Sequence, residues 1–199
     1  DGGNVGVGAP YNGGSFPAHQ VVDGNTAEPN DGALSYWLGR EGLLDEYFTL
    51  DLGDFFEIDR IDLFNTHNRQ FNDRSTDEFV IFSAFAVDEL NQLIDPTPIV
   101  SGNLSNVAGQ AAITPDSFTL TSPITTRYLK FQSITAQPGL TNVGLNEIQV
   151  FASNFNSPNK ALGKPVIDGS GSWDGGVVGT GTTFDGGTYP ATKVTDGSL

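Results

Sequence analysis

The sequence contains no cysteine in 199 residues, which excludes disulfides, thiolate metal sites, iron–sulfur clusters and cysteine nucleophiles together. Methionine is absent as well, position 1 included. We read this as a processed chain or a fragment from which any signal peptide has gone. Basic residues are scarce: nine Lys and Arg against 24 Asp and Glu give a formal net charge of −15 and a pI near 4.1. A surface that negative repels phosphate backbones and anionic headgroups, so nucleic acid and acidic membranes make poor partners. It suits a neutral ligand, or a hard cation held by oxygens. No apolar run approaches the roughly 20 residues that span a bilayer, and no membrane insertion is expected.

What is abundant is turn chemistry. Twenty-five Gly and 11 Pro, with many Thr, Asn and Ser, point to strands joined by turns and to a location outside the cytoplasm, secreted or at the cell surface. The length allows one domain of ordinary size plus a remainder.

The division is set by an internal repeat. Asn4-Val-Gly-Val-Gly8-Ala-Pro10 returns as Asn159-Lys-Ala-Leu-Gly163-Lys-Pro165, at an offset of 155. Gly13-Gly-Ser-Phe-Pro-Ala18 with Val21-Val-Asp23-Gly24 returns as Gly186-Gly-Thr-Tyr-Pro-Ala191 with Val194-Thr-Asp196-Gly197, at an offset of 173. The second copy therefore carries an 18-residue Gly-rich insertion around Asp168 to Asp185. Residues 1–154 form one complete unit, and residues 155–199 form a linker and the opening of a second, truncated copy. Too short to bury a core of their own, residues 155–199 have three fates open to them: disorder, packing on the first unit, or docking on something outside this chain.

Within the first unit the hydrophobic period is two. Tyr47 to Leu52 reads as a strand ending in a turn at Gly53-Asp54, and Phe56 to Phe64 as the next. Glu78 to Phe85 is nearly continuously apolar, as an inner strand is. Phe118 to Leu120, Arg127 to Gln132 and Glu147 to Phe151 add three more. Helix signal is confined to a turn near Ala18 to Val22. The fold class expected is all-β, an antiparallel β-sandwich.

Seven segments in order sharpen this: Val22-Asp-Gly-Asn25, Trp37, Phe48-Thr-Leu-Asp-Leu-Gly53, Ile58 to Asn65, Asp77 to Ile81, Thr126 to Phe131, and Leu145 to Phe151. Together they resemble the coagulation-factor type C, or discoidin, domain, a galactose-binding-like jelly-roll β-sandwich that includes many carbohydrate-binding modules. The resemblance covers nearly all of residues 4–152.

Two sites follow. Asp23-Gly24-Asn25 makes a tight turn that can aim two side chains and several carbonyls at one point, because Gly24 lets the backbone curl; a hard cation wants six to eight such oxygens. The resemblance implies Ca²⁺ held there and closed by Glu147, with backbone oxygens near Gln20 and Asn146. Where the resembled domains usually carry Thr five residues after the Asp, this chain has Glu28. The alternative is an Asx turn bonding its own backbone.

The second site is the loop Asn65-Thr-His67-Asn-Arg69-Gln-Phe71-Asn72-Asp-Arg74, which supplies fixed donors and acceptors for hydroxyls and a ring for a sugar face. The resemblance carries Arg69 and Asn72 over as the groups that hold a neutral, galactose-type sugar, with His67 and Phe71 beside them. The plainer reading has Arg74 paired with Asp73 or Asp77 and the Asn side chains capping turns.

Trp37 is expected in the core, and Trp173, in the Gly-rich insertion, as a partner contact. Asp168 to Gly179 lacks the turn Gly and closing Glu of an EF-hand, and no P-loop or dinucleotide fingerprint occurs. No nucleophile or acid/base pair is singled out, so no enzyme is expected. The leading reading is a non-catalytic, calcium-stabilised extracellular carbohydrate-binding module. Its rival is a structural subunit of an extracellular filament, surface layer or adhesin that self-assembles through residues 155–199.

Overall fold

The structure, a computed structural model, describes residues 16–26, 36–40, 42–66, 74–107, 113–153 and 158–169. After a short 3-10 helix, Ala18–Val22, the chain is built from strands: β1 Trp37–Leu38, β2 Tyr47–Phe64, β3 Glu78–Ala84, β4 Ala86–Val87, β5 Leu93–Ile94, β6 Thr97–Asn103, β7 Asp116–Ser133, β8 Gly144–Leu145, β9 Glu147–Ala152 and β10 Val166–Gly169. All pairings are antiparallel.

Two 18-residue strands, β2 and β7, organise everything else. Their first pairing region, Tyr47 to Asp51 against Tyr128 to Gln132, is flanked by β10 on one side and by β3 and then β6 on the other. Their second region, Phe56 to Leu63 against Asp116 to Thr126, carries β9 at its edge. Between the two the register shifts at Asp51/Phe56, where Gly53 adopts φ +83°. A bulge of this kind bends a strand and raises its twist without ending it. The turn expected at Gly53-Asp54 is therefore a bulge inside one strand, because β7 runs alongside both halves and holds them in line. Phe118 to Leu120 and Arg127 to Gln132 merge into one strand for the same reason.

Each long strand delivers its inward residues to one core. Phe48, Leu50 and Leu52 from the first half of β2 and Ile58, Ile61 and Leu63 from the second are fully buried in a single cluster with Leu129, Phe131, Ile148 and Val150. Phe131 stacks between Phe48 and Phe79, with centroids 5.3 and 5.7 Å away, and Trp37 sets its edge against Phe48 at 5.2 Å. Burying one such side chain contributes about 1.5–3 kcal/mol. Trp37 is a core residue, as expected, with no exposed surface.

Residues 158–169 pack on the first unit, the second of the three fates open to the tail. Ala161 is fully buried in the same core. Asn159 accepts from the N–H groups of Val150 and Ala161, both at 2.9 Å, and β10 pairs Val166, Asp168 and Gly169 with Leu50, Thr49 and Phe48. Trp173 lies outside the described residues.

Candidate functional site

The end of the 3-10 helix builds the first candidate site. Asp23 caps it in helical geometry, Gly24 follows at φ +83°, and Asp23 Oδ1 accepts the N–H of Asn25 at 2.8 Å. An Asx turn therefore forms, and it is compatible with a second role for the carboxylate, which has acceptor capacity to spare. Glu147, the first residue of β9, is fully buried and lies beside this turn: its Oε1 accepts the N–H of Gly24 at 3.2 Å. Asn146 donates from Nδ2 to the carbonyl of Asn25 at 2.7 Å.

The remaining atoms of this corner are short of partners. Glu147 Oε2, Asn146 Oδ1, Gln20 Oε1 and His19 Nδ1 are buried without a hydrogen bond among the described residues. Burial, and then the negative charge of Asp23, push the Glu147 carboxyl up to about 9. Burial also lowers the His19 imidazole below its usual value, against the pull of Asp23. Buried acceptors with no donor are costly, and a hard cation is the group that satisfies oxygens of this kind together. The donor set thus fits Ca²⁺, the carboxylates being Asp23 and Glu147. Among the described residues no three His, Asp or Glu side chains cluster closely enough to hold a metal alone, so amide and backbone oxygens at Gln20, Asn25 and Asn146 would complete the shell. Glu28 lies outside the described residues.

One contributor was not anticipated from the sequence. Gly163 donates to the carbonyl of Val22 at 2.7 Å, and a Cβ on Gly24 would meet Leu162 Cδ1 at 2.9 Å. The tail seals the turn from outside. The repeat gave the only hint, since Gly163 is one of the residues the two copies share.

The second candidate site is the loop between β2 and β3. His67, Arg69, Phe71 and Asn72 lie outside the described residues, but both of its stems are described and fully fixed. Asn65, buried, donates from Nδ2 to the carbonyls of Thr76 and Ser105 at 2.8 and 2.9 Å and accepts from the N–H groups of Thr66 and Thr76. Ser75 bonds the Thr66 carbonyl, and Thr76 that of Gly144. Arg74 is buried, donating to the Tyr36 hydroxyl at 2.9 Å with its guanidinium near the Phe16 and Tyr36 rings. Asp77 accepts from Asn103 at 3.0 Å. Asn65 and Arg74 thus hold the loop rather than face solvent, and the loop stands on a rigid base.

A cleft of about 210 Å³ opens on the face of the sheet, lined by Phe82, Gln92, Leu93, Pro96, Lys130 and Gln132. Its donors are engaged with their neighbours. Gln92 gives its amide to buried Asp168 at 2.8 Å, Gln132 bonds Asp45, and the Lys130 ammonium sits 3.7 Å from the Tyr47 ring centroid. Burial raises the Asp168 carboxyl and lowers the Lys130 amine.

This architecture, two long bent strands that carry β10, β3 and β6 on one half and β9 on the other, is matched among solved structures. The family 32 carbohydrate-binding module of NanJ from Clostridium perfringens, in complex with galactose, superposes with a TM-score of 0.50 over 71% of this chain and 88% of its own, at 17% identity. CpGH89CBM32-5 from the same organism, in complex with GalNAc-β-1,3-galactose, gives 0.53 over 73% and 91%, at 15% identity. CBM32-1 of a family 31 glycoside hydrolase, also from Clostridium perfringens, gives 0.51 over 72% and 88%, at 14% identity. The chain has the discoidin, galactose-binding-like fold. At these identities the likeness is one of fold, and the sandwich expected from the sequence is the one observed. No protein-family model matches the sequence, and no curated protein matches it significantly. In the discoidin-like frame, Glu147 and the Asp23 turn meet at one corner, and the loop after β2 leaves from the strand opposite β9, where Phe64 pairs with Glu147.

Proposed function

We propose that the chain is a non-catalytic carbohydrate-binding module of a secreted or surface protein, stabilised by Ca²⁺ and taking a neutral, galactose-type sugar through Arg69 and Asn72, with His67 and Phe71 beside them. The observation that carries the reading is the fold: the solved structures it matches are carbohydrate-binding modules, and two of them hold galactose or a galactose-containing disaccharide. The rigid stems formed by Asn65 and Arg74 support it, because a sugar site gains affinity from donors held in place before the ligand arrives. A net charge of −15 favours a neutral glycan over an acidic one.

Ca²⁺ at Asp23, Asn25 and Glu147, with oxygens from Gln20 and Asn146, would supply positive charge to buried acceptors that lack donors. Asp23 and Glu147 tie the turn to β9, and Leu162 covers it. The reading as a structural subunit would use residues 155–199 against a neighbour; the part described, 158–169, is engaged on its own sandwich.

The test is a glycan array probed with the unaltered chain and with Arg69→Ala. Signal on neutral galactosides that Arg69→Ala removes, with its melting curve unchanged, supports the proposal. No signal on any neutral glycan from a folded chain overturns it.

A further inference from the structure

The cleft on the sheet face belongs to neither site described above. It stands on one cross-strand row: Phe82 of β3 is paired with Lys130 of β7, Lys130 with Thr49 of β2, and Thr49 with Asp168 of β10. Gln132 leaves the same face of β7 as Lys130, two residues on, and β5 with the turns around it brings Gln92, Leu93 and Pro96 to the same cleft. Both amides are fixed by carboxyl groups. Gln92 Nε2 donates to buried Asp168 Oδ2 at 2.8 Å, and Gln132 Nε2 donates to Asp45 Oδ1. A side-chain amide has two donor hydrogens and a carbonyl with two lone pairs. Gln132 thus keeps a donor and an acceptor for a ligand, and Gln92, which also meets the Tyr47 hydroxyl, keeps carbonyl capacity. Their planes are set before any ligand arrives.

Three features of the cleft define its ligand. Its charge is balanced, because Lys130, the one ionisable residue of the lining, lies against the Tyr47 ring and faces both Asp168 and Asp45. A neutral group therefore suits it. Its wall of Phe82, Leu93 and Pro96 is apolar, opposite the two amides. At about 210 Å³ it is smaller than the roughly 300–1,000 Å³ of pockets that enclose a whole drug-sized ligand, so it takes one small group of a larger molecule. An acetamido group meets all three demands: it is neutral, its N–H and C=O pair with a side-chain amide as donor and acceptor at once, and its methyl seeks an apolar wall. We propose that this cleft holds the acetamido group of a neutral N-acetylated sugar, with Gln132 and Gln92 pairing its amide and Phe82, Leu93 and Pro96 covering its methyl. The inference rests on the carbohydrate reading for the sugar that carries the group, and not on Arg69 or Asn72.

The experiment titrates the full chain, labelled with nitrogen-15, with N-acetylglucosamine, glucose and glucosamine, and follows the side-chain amide signals of Gln92 and Gln132 by NMR. N-acetylglucosamine should shift both signals saturably, while glucose, which lacks the acetamido group, and glucosamine, which carries a charged amine in its place, should each bind at least about tenfold more weakly. Arg69→Ala should leave this response unchanged. Gln132→Ala, whose bond to Asp45 is exposed, should weaken binding about tenfold, read at Gln92. Leu93→Glu, which places a charge on the apolar wall, should weaken it at least as much; the backbone spectrum of each variant reports that it is folded. Glucose or glucosamine binding as tightly as N-acetylglucosamine overturns the assignment of the acetamido group. No shift at either amide overturns the cleft as a site and leaves a galactose response that depends on Arg69 standing. A response that Arg69→Ala removes, or that folded Gln132→Ala and Leu93→Glu chains both retain in full, places the sugar elsewhere and overturns the proposal too.

Discussion

Gly24 and Glu147 lie 123 positions apart and are joined by one hydrogen bond, the Gly24 N–H to Glu147 Oε1 at 3.2 Å. That bond brings a buried carboxylate to a turn whose other carboxylate, Asp23, repels it. Repulsion without a cation and attraction with one make opposite demands on the same residue, which yields the first prediction. In chelator, Glu147→Gln should melt at or above the unaltered chain, because burial and Asp23 already favour the uncharged carboxyl there, and the amide is neutral at every pH and keeps the acceptor for Gly24. In Ca²⁺ the unaltered chain should gain stability by mass action, while Glu147→Gln and Asp23→Ala should not. Calorimetric melting in both buffers decides it; identical curves for the unaltered chain refute the calcium reading.

A second pair governs the acid limb of stability. Arg127 grips Asp51 through two hydrogen bonds of 2.7 Å, across the bulge that bends β2. That hydrogen-bonded guanidinium, helped by the Gly53 N–H and opposed by burial, holds the Asp51 carboxyl below its usual value. A carboxyl whose folded pKa is depressed contributes stability that is full above its unfolded value, near 3.9, and is lost as pH falls through the folded value. Arg127→Ala should therefore be less stable than the unaltered chain at pH 7, and the gap should narrow as the pH falls below the unfolded value and on through the depressed folded one. Urea titrations at both ends of that range measure it; a gap independent of pH would show that the pair acts by packing alone.

How far the sequence reaches is visible strand by strand. Phe48, Leu50 and Leu52 alternate with the polar Thr49 and Asp51, and Phe79 and Ile81 sit in a long apolar run, so the strands that carry the core announce themselves. β6 does not: Thr97-Pro-Ile-Val-Ser-Gly-Asn103 has only Ile99 and Val100 as large apolar residues and holds a proline and a glycine, as an edge strand can. β1 and β8 are two residues each, fixed by pairing Trp37 with Leu145 across the sandwich rather than by any local pattern. The Asp23 turn and Glu147 were legible only together, through the resemblance, since their meeting depends on β9 lying against β2. The seal supplied by Leu162 and Gly163 was hidden for the same reason: the repeat singled out Gly163 but not Leu162, and only the fold shows what they touch.

The core offers a direct reporter. Trp37 is one of two tryptophans, and its ring is enclosed by Phe48 and Phe131. In a Trp173→Phe chain, the fluorescence of Trp37 should be blue-shifted, insensitive to iodide, and should move to the red in one step with urea. Trp37→Ala should cost about 3–5 kcal/mol, the range for emptying a large aromatic from a core. Quenching of the folded Trp173→Phe chain by iodide would contradict this placement.

The last prediction separates the residues that hold the sugar loop from those that touch sugar. Asn65 ties the two ends of the loop together: its amide donates to the carbonyls of Thr76 and Ser105, and its oxygen accepts from Thr66 and Thr76. Asn65→Ala strands several buried backbone groups at once, and each buried group left unsatisfied costs about 1–3 kcal/mol, so the variant should lose stability in that range or beyond it. Asn65→Asp keeps the acceptor and loses the donors, and should fall between. Arg69→Ala and Asn72→Ala, in contrast, should change stability by under about 0.5 kcal/mol while removing glycan binding. Binding should thus be lost by two routes that differ in their stability cost, read by titration calorimetry with galactose and by urea unfolding on the same samples. If Asn65→Ala stays stable and binds as before, the stems do not position the loop. If Arg69→Ala and Asn72→Ala both bind galactose normally while the unaltered chain does too, the site lies elsewhere on the sandwich, and the sheet-face cleft between Phe82 and Lys130 is the place to test next.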